Sequence, residues 1–315
     1  MHPRSPGGGR TPFGRSRWLF LLLTVTLAAG CGGGGDDPGE EAAFRADLAA
    51  FRQARLDDLT QPDGWLTLVG LHWLHEGENA FGSDPANDVV FPEKAPAHLG
   101  VFLVADTTVR VRIAPGVEVL HDGAPVTELA LATDAEPEPT VLTHGTLSWY
   151  VIRRGDRLGV RVKDRESPTR TGFHGIETFP PARAWRVPGR FEAYDPPRPI
   201  PIADVTGRIF DEPSPGALVF EKDGVTHRLD VIRDGDEPKY FVIFADETNG
   251  HETYGGGRYL KVDEPAPGDD RVVIDFNRAY NPPCAFTPYA TCPLPPPQNR
   301  LALRVEAGEK AYAKH

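Results

Sequence analysis

Only one methionine and three cysteines occur in the 315 residues, and no apolar run approaches the length of a bilayer crossing. The longest, Trp18 to Leu27, rises about 15 Å as a helix, against a hydrocarbon core of roughly 30 Å. Basic charge is also short: 34 Lys and Arg against 45 Asp and Glu give a formal net charge of −11. That balance argues against an anionic bilayer surface as a partner, and no nucleic acid partner is expected. Missing too are a Gly-x-Ser-x-Gly elbow, a dinucleotide fingerprint, a P-loop, a calcium loop and a helical zinc motif. The sequence therefore points to no cofactor and no metal. No 30-residue β-α-β period appears, which weighs against a doubly wound parallel sheet.

What the N-terminus does contain is a leader. Arg4, Arg10, Arg15 and Arg17 precede the short apolar run, with no acidic residue in the first thirty. This describes a secretory signal peptide over residues 1–30. Leu27-Ala28-Ala29-Gly30-Cys31 resembles the lipobox of bacterial lipoproteins, which implies lipidation of Cys31 after cleavage before it. The alternative is an ordinary cleaved signal followed by a chance cysteine. Residues 31–39 then form a glycine-rich flexible tether, and acyl chains on Cys31 supply a membrane anchor. Without the four leader arginines the charge falls from −11 to −15. Gly32 after the cysteine resembles lipoproteins of the outer membrane rather than the inner, so the expected location is the cell envelope, on the periplasmic face.

Thirty-two prolines and thirty-three glycines indicate many turns and few long helices. One helix is expected from about Glu40 to Leu59, with Phe44, Leu48, Phe51 and Leu59 near one face. It stops at Thr60-Gln61-Pro62-Asp63-Gly64. Short strand-like runs follow, among them two hairpins turning at Gly155-Asp156 and at Asp223-Gly224. The acidic, proline-rich stretch from Thr133 to Thr140 reads as a boundary. The expected fold is all-β with one N-terminal helix. An FHA-like sandwich-type unit over 40–133 precedes an antiparallel β-barrel or sandwich over 140–315.

The FHA expectation rests on Gly82, the Asn87-Asp88 step and the apolar run after it, with His98 beyond; these resemble a forkhead-associated domain. Where that family places a phosphate-reading arginine and a loop serine, this sequence has Ser83 and Ala95. The guanidinium fork that would grip a phosphate is thus missing. His72 and His75, three apart, would share a helix face but lie on opposite faces of a strand, and the aromatic surroundings favour packing over metal ligation.

The densest chemistry lies late. Tyr254, Gly255, Gly256, Gly257 and Arg258 follow a strand, and such a run can turn N–H groups and a guanidinium toward an anion. A plain wide turn is the competing reading. Further on, a strand delivers Asp275 and Asn277 to one face, then Arg278, Tyr280 and Asn281 lead into a stiff proline-rich loop. Cys284 and Cys292, eight apart, are expected to form a disulfide worth about 2–3 kcal/mol by loop closure. A thiolate nucleophile or paired metal ligands are the alternatives, although no histidine stands near either cysteine in sequence.

The segments Tyr254 to Leu260, Asp275 to Pro282, Cys284-Ala285-Phe286, Cys292 to Pro296 and Ala307-Gly308-Glu309-Lys310 resemble the bacterial domain-of-unknown-function family numbered 1684. Gly64 to Leu71 and Glu76 to Asn79 match it too, so the resemblance spans Phe44 to Lys310. It carries no activity and no catalytic residue with it. The leading expectation is a membrane-anchored envelope lipoprotein holding a small or anionic ligand among Tyr254 to Arg258, Asp275, Asn277, Arg278, Tyr280 and Asn281. One alternative is a hydrolase pairing Asp275 or a loop carboxylate with Arg258 or His251; another is a structural envelope protein without a pocket.

Overall fold

A computed structural model describes residues 38–312 apart from 234 and 236. The leader, Cys31 and most of the tether lie outside the described residues. The helix runs Pro38–Leu59, with Glu40 and Glu41 in its first turn, where the helix dipole favours negative charge. It buries Phe44, Leu48 and Leu59, three of the four residues of the expected stripe, while the fourth, Phe51, is half-buried.

The first β unit is a sandwich of two sheets. One is ordered Leu68–Trp73, Arg157–Asp164, Leu147–Arg154, Leu142–His144, Leu120–His121, Ala124–Pro125. The other is ordered Val89–Val90, Gly77–Gly82, Gly100–Ala105, Thr108–Ile113, Glu128–Leu131. The strand Thr108–Ile113 shows why they close on each other: Val109, Val111 and Ile113 face in while Arg110 and Arg112 face out. Phe81, Phe91, Phe102 and Trp149 fill the middle of this core. Residues 133–140, where the sequence suggested a division, lie inside this unit. Thr133 bridges Val151, and the Ala132 N–H donates to Thr140 Oγ1 at 2.9 Å. The hairpin Leu147–Arg154 and Arg157–Asp164 completes the first sheet by pairing with Leu68–Trp73, so the unit reaches past residue 160.

The second unit is a six-stranded antiparallel sheet ordered Arg258–Asp263, Lys239–Phe244, Val225–Arg233, Ile209–Lys222, Arg186–Ala203, Arg271–Asp275. Its two end strands approach each other, so it curls into a nearly closed barrel. The Asp223-Gly224 hairpin forms as expected, with φ of 54° and 76° at the two turn residues. Leu218, Phe220, Leu229, Phe244, Ile274 and Phe276 pack the interior. The proline-rich segment after Asp275 folds over the barrel, inserting Ala279, Leu301, Val305 and Ala307. A third cluster joins the units, placing Leu68 with Ile200, Ile202, Tyr259 and Cys292.

Candidate functional site

The helix lies against the barrel beside the turn Phe276–Arg278, and between them opens a cleft of about 380 Å³. Asp47, Phe51 and Arg55 project into it from the helix. Their spacing of four puts them along one side. The barrel contributes Arg186, Lys239 and Lys261, and the covering segment contributes Asp275, Arg278 and Tyr280.

Most of these charges are committed. Arg278 pairs with Asp47 at 2.5 Å and sits 5.1 Å from the Phe51 ring centre, with Asp275 3.9 Å from its Nε. Arg55 reaches Glu309 at 3.2 Å, donates to the Asn281 carbonyl at 2.9 Å, and lies 4.8 Å over the Tyr280 ring. Lys261 pairs with Glu237 at 3.2 Å. Arg186 and Lys239 differ: neither side chain has a hydrogen-bond or ion-pair partner among the described residues. Deeper, a smaller cavity of about 150 Å³ is lined by Arg52, Asn277 and Glu309. Burial pushes the Glu309 carboxyl above its ordinary value, opposed by the Arg55 charge and the Asn281 N–H.

The expected site residues are thus divided. Asp275, Arg278 and Tyr280 line the cleft. Asp275 and Asn277 do not share a strand face, because the strand stops at Asp275 and the chain turns. The Asp275 carboxylate caps that turn, accepting from the Asn277 N–H at 3.1 Å and its side-chain amide at 2.8 Å. Asn277 also braces the backbone of Ala182 from both its oxygen and its nitrogen. Asn281 is fully buried and ties the Glu309 carboxylate and the Lys310 carbonyl to the covering segment.

Arg258 is not an anion reader. Its side chain is 0% exposed, paired to an equally buried Asp246 at 2.7 Å, and it donates to the carbonyls of Val305 at 2.9 Å and of Ala307. It fastens the C-terminal segment to the barrel wall. The glycines beside it make a turn closed by the Gly257 N–H to the Tyr254 carbonyl, 3.1 Å. Gly257 has φ of +89° and no room for a Cβ, which would lie 2.4 Å from Pro295. Tyr254 packs instead against the cluster of Leu59, Leu66, Ala285 and Phe286, and burial, followed by the influence of Cys284 and Cys292, pushes its phenol up to about 12.

The expected disulfide is not formed. Cys284 and Cys292 are both free, although the Cys284 N–H donates to Cys292 Sγ at 3.1 Å. His72 and His75 have separate surroundings: burial lowers His72, while hydrogen bonding to the Glu76 carbonyl and then Asp88 raises His75. Ser83 turns into its own loop, donating to the Ala95 carbonyl at 2.7 Å, and Asn87 braces Ala97 and His98. These loops hold the sandwich together.

Sequence reasoning missed Asp47, Arg55, Arg186, Lys239 and the placement of Glu309. The 47–51–55 spacing was visible, but nothing local marks which helix side meets the barrel.

A family model described as "Protein of unknown function (DUF1684)" matches residues 171–310. The chain belongs to this family. The match covers the barrel and its covering segment, narrower than the Phe44 to Lys310 span of the motif resemblance. The solution NMR structure of an uncharacterized protein of Haloarcula marismortui is similar at 32% identity, covering 46% of this chain and 81% of that one, with a TM-score of 0.39. No curated protein matches.

Proposed function

We propose that the protein is an envelope lipoprotein that holds a small anionic ligand in the cleft between helix and barrel. The observation that carries this reading is the pair Arg186 and Lys239, two cations lining the cleft opposite Asp275 and Asp263 in strand register, yet without a hydrogen-bond or ion-pair partner among the described residues. A half-dry cleft strengthens their attraction for an anion relative to bulk water. Phe51, Tyr280 and Val262 offer an apolar floor for the body of such a ligand. Arg278 and Arg55 are neutralised by Asp47 and Glu309, so they shape the cleft rather than adding free charge.

The test is a thermal-shift titration with inorganic phosphate, citrate and benzoate, on the wild type and on the double variant Arg186→Ala, Lys239→Ala. At least one anion is expected to raise the wild-type midpoint, and the gain should shrink with added salt and vanish in the variant. Equal shifts in both proteins, or none in the wild type, would sink the reading.

The hydrolase alternative, Asp275 or a loop carboxylate with Arg258 or His251, finds neither of its partners in the cleft lining. Arg258 is sealed against Asp246, and His251 lies on an exposed turn away from the cleft lining. Anchoring through Cys31 is supported by the leader and lipobox pattern alone. Mass spectrometry of the mature N-terminus should find an acylated Cys31, and a mature chain starting elsewhere would refute it.

A further inference from the structure

The two cysteines occupy unequal positions in one rigid corner. Cys284 follows Pro282-Pro283 and is half-buried; Cys292 precedes Pro293 and is 5% exposed, packed against Tyr259. Beside them stands Arg161 of the first unit. It is 2% exposed and has no carboxylate partner among the described residues. Among the described residues it donates to Tyr150 Oη at 3.2 Å and to Thr291 Oγ1 at 3.3 Å, lies 5.4 Å from the Trp65 ring centre, and its Nε–H has no acceptor. A buried guanidinium without counter-charge is costly, and a nearby thiolate would relieve that cost.

We propose that Cys284 and Cys292 form a thiol–disulfide exchange site acting on small or peptide disulfides. Cys284 is the attacking thiol because it is the more exposed of the two, and Cys292 is the resolving thiol. The Cys284 thiolate attacks an external disulfide, forming a mixed disulfide and expelling one thiolate. That thiolate takes the Cys292 proton; the Cys292 sulfur then attacks Cys284 Sγ and expels the second thiolate. Two electrons leave the cysteine pair, the proton released when Cys284 ionised returns to the second thiolate, and the external disulfide becomes two thiols. In reverse, the bonded pair oxidises a dithiol, a direction favoured when the reduced thiolate is stabilised. The environment agrees: hydrogen bonding from Cys292 and the Arg161 charge lower the Cys284 thiol despite its burial, whereas Cys292 is pushed up by its neighbour and by burial.

The experiment treats the reduced full chain with oxidised glutathione and follows it by intact mass and peptide mapping. The wild type should close to the Cys284–Cys292 disulfide and reopen in excess reduced glutathione. Cys292→Ser should stop at one glutathione on Cys284. At neutral pH, Cys292→Ser should react with iodoacetamide about tenfold faster than Cys284→Ser, and Arg161→Gln added to it should cost about tenfold, the effect of one pKa unit. A bond that forms but resists reduced glutathione would be a purely structural disulfide and would overturn the proposal. So would first modification at Cys292, read on the wild type by time-resolved mapping even if a serine variant fails to fold.

Discussion

Replacing Arg258 with methionine separates two roles that one arginine beside a glycine run could have. The side chain is fully enclosed, and its guanidinium serves Asp246 and the carbonyls of Val305 and Ala307. After Arg258→Met, the Asp246 carboxylate stays buried with only neutral donors: the Thr248 N–H at 2.8 Å, its hydroxyl at 2.6 Å and the Val305 N–H at 3.2 Å. Removing one partner of a buried ion pair costs about 3–5 kcal/mol. The two orphaned carbonyls push the loss toward the upper end. At roughly 2–4 °C per kcal/mol for a chain of this size, the melting temperature should fall by about 6–20 °C. Urea unfolding followed by tryptophan fluorescence measures the loss directly. The double variant Arg258→Met, Asp246→Leu should recover most of it, because no buried charge is then left alone. By contrast, Arg186→Ala and Lys239→Ala, which break no pair, should each change stability by less than about 0.5 kcal/mol. A loss below about 1 kcal/mol for Arg258→Met, together with abolished anion binding, would refute the assignment of Arg258 to the wall and return it to the site.

Trp149 is completely buried, and its indole N–H has no acceptor among the described residues. Trp149→Phe gives up volume but removes a desolvated donor worth about 1–3 kcal/mol. Its net cost should stay within about 1.5 kcal/mol, against about 3–5 for Phe81→Ala in the same core; equal urea midpoints for the two would contradict this. Gly257→Ala should cost at least about 2 kcal/mol, since it meets both a positive φ and Pro295, while Gly255→Ala has its nearest neighbour at 3.7 Å and should be almost neutral. Matching losses at both glycines would show that the turn was misjudged. For Asp164, burial raises the carboxyl, but the Lys94 ammonium, the Glu166 N–H and the Thr146 hydroxyl outweigh it, so the folded value lies below the ordinary 3.8. Its contribution is present above that value and is lost as pH falls through the folded one. Urea midpoints from about pH 5 to pH 2 should fall less steeply for Asp164→Asn than for the wild type, and an unchanged slope would count against the pairing.

Local rules explain the parts of the fold that were legible. The helix stripe, the alternation in Thr108–Ile113 and the Asp223-Gly224 turn are each written within a few residues of themselves. The boundary was not legible for the converse reason. Residues 133–140 carry the composition of a linker, yet Thr140 and Thr133 spend their polar groups on neighbouring backbone. What decides the matter is the pairing of Leu68–Trp73 with Arg157–Asp164, some ninety positions apart, and no local pattern encodes that partner.

The same distinction governs the site. An arginine's meaning depends on whether a carboxylate answers it, and that is a property of the folded chain. Arg258 looked free in sequence and is answered by Asp246; Arg278 is answered by Asp47, 231 positions away. Arg161, Arg186 and Lys239 lie on strands without a sequence motif around them, and no carboxylate among the described residues forms an ion pair with them. Salt-bridged cations contribute chiefly to assembly, whereas unanswered ones facing a cavity or a thiol retain unspent electrostatic work. Among the described residues, the cleft under the helix and the cysteine corner are two such places. Because Arg161 acts on Cys284 while Arg186 and Lys239 face the cleft, neutralising one set should leave the other readout unchanged. Loss of anion binding in Arg161→Gln, or of thiol reactivity in the Arg186, Lys239 double variant, would mean that the two places work as one.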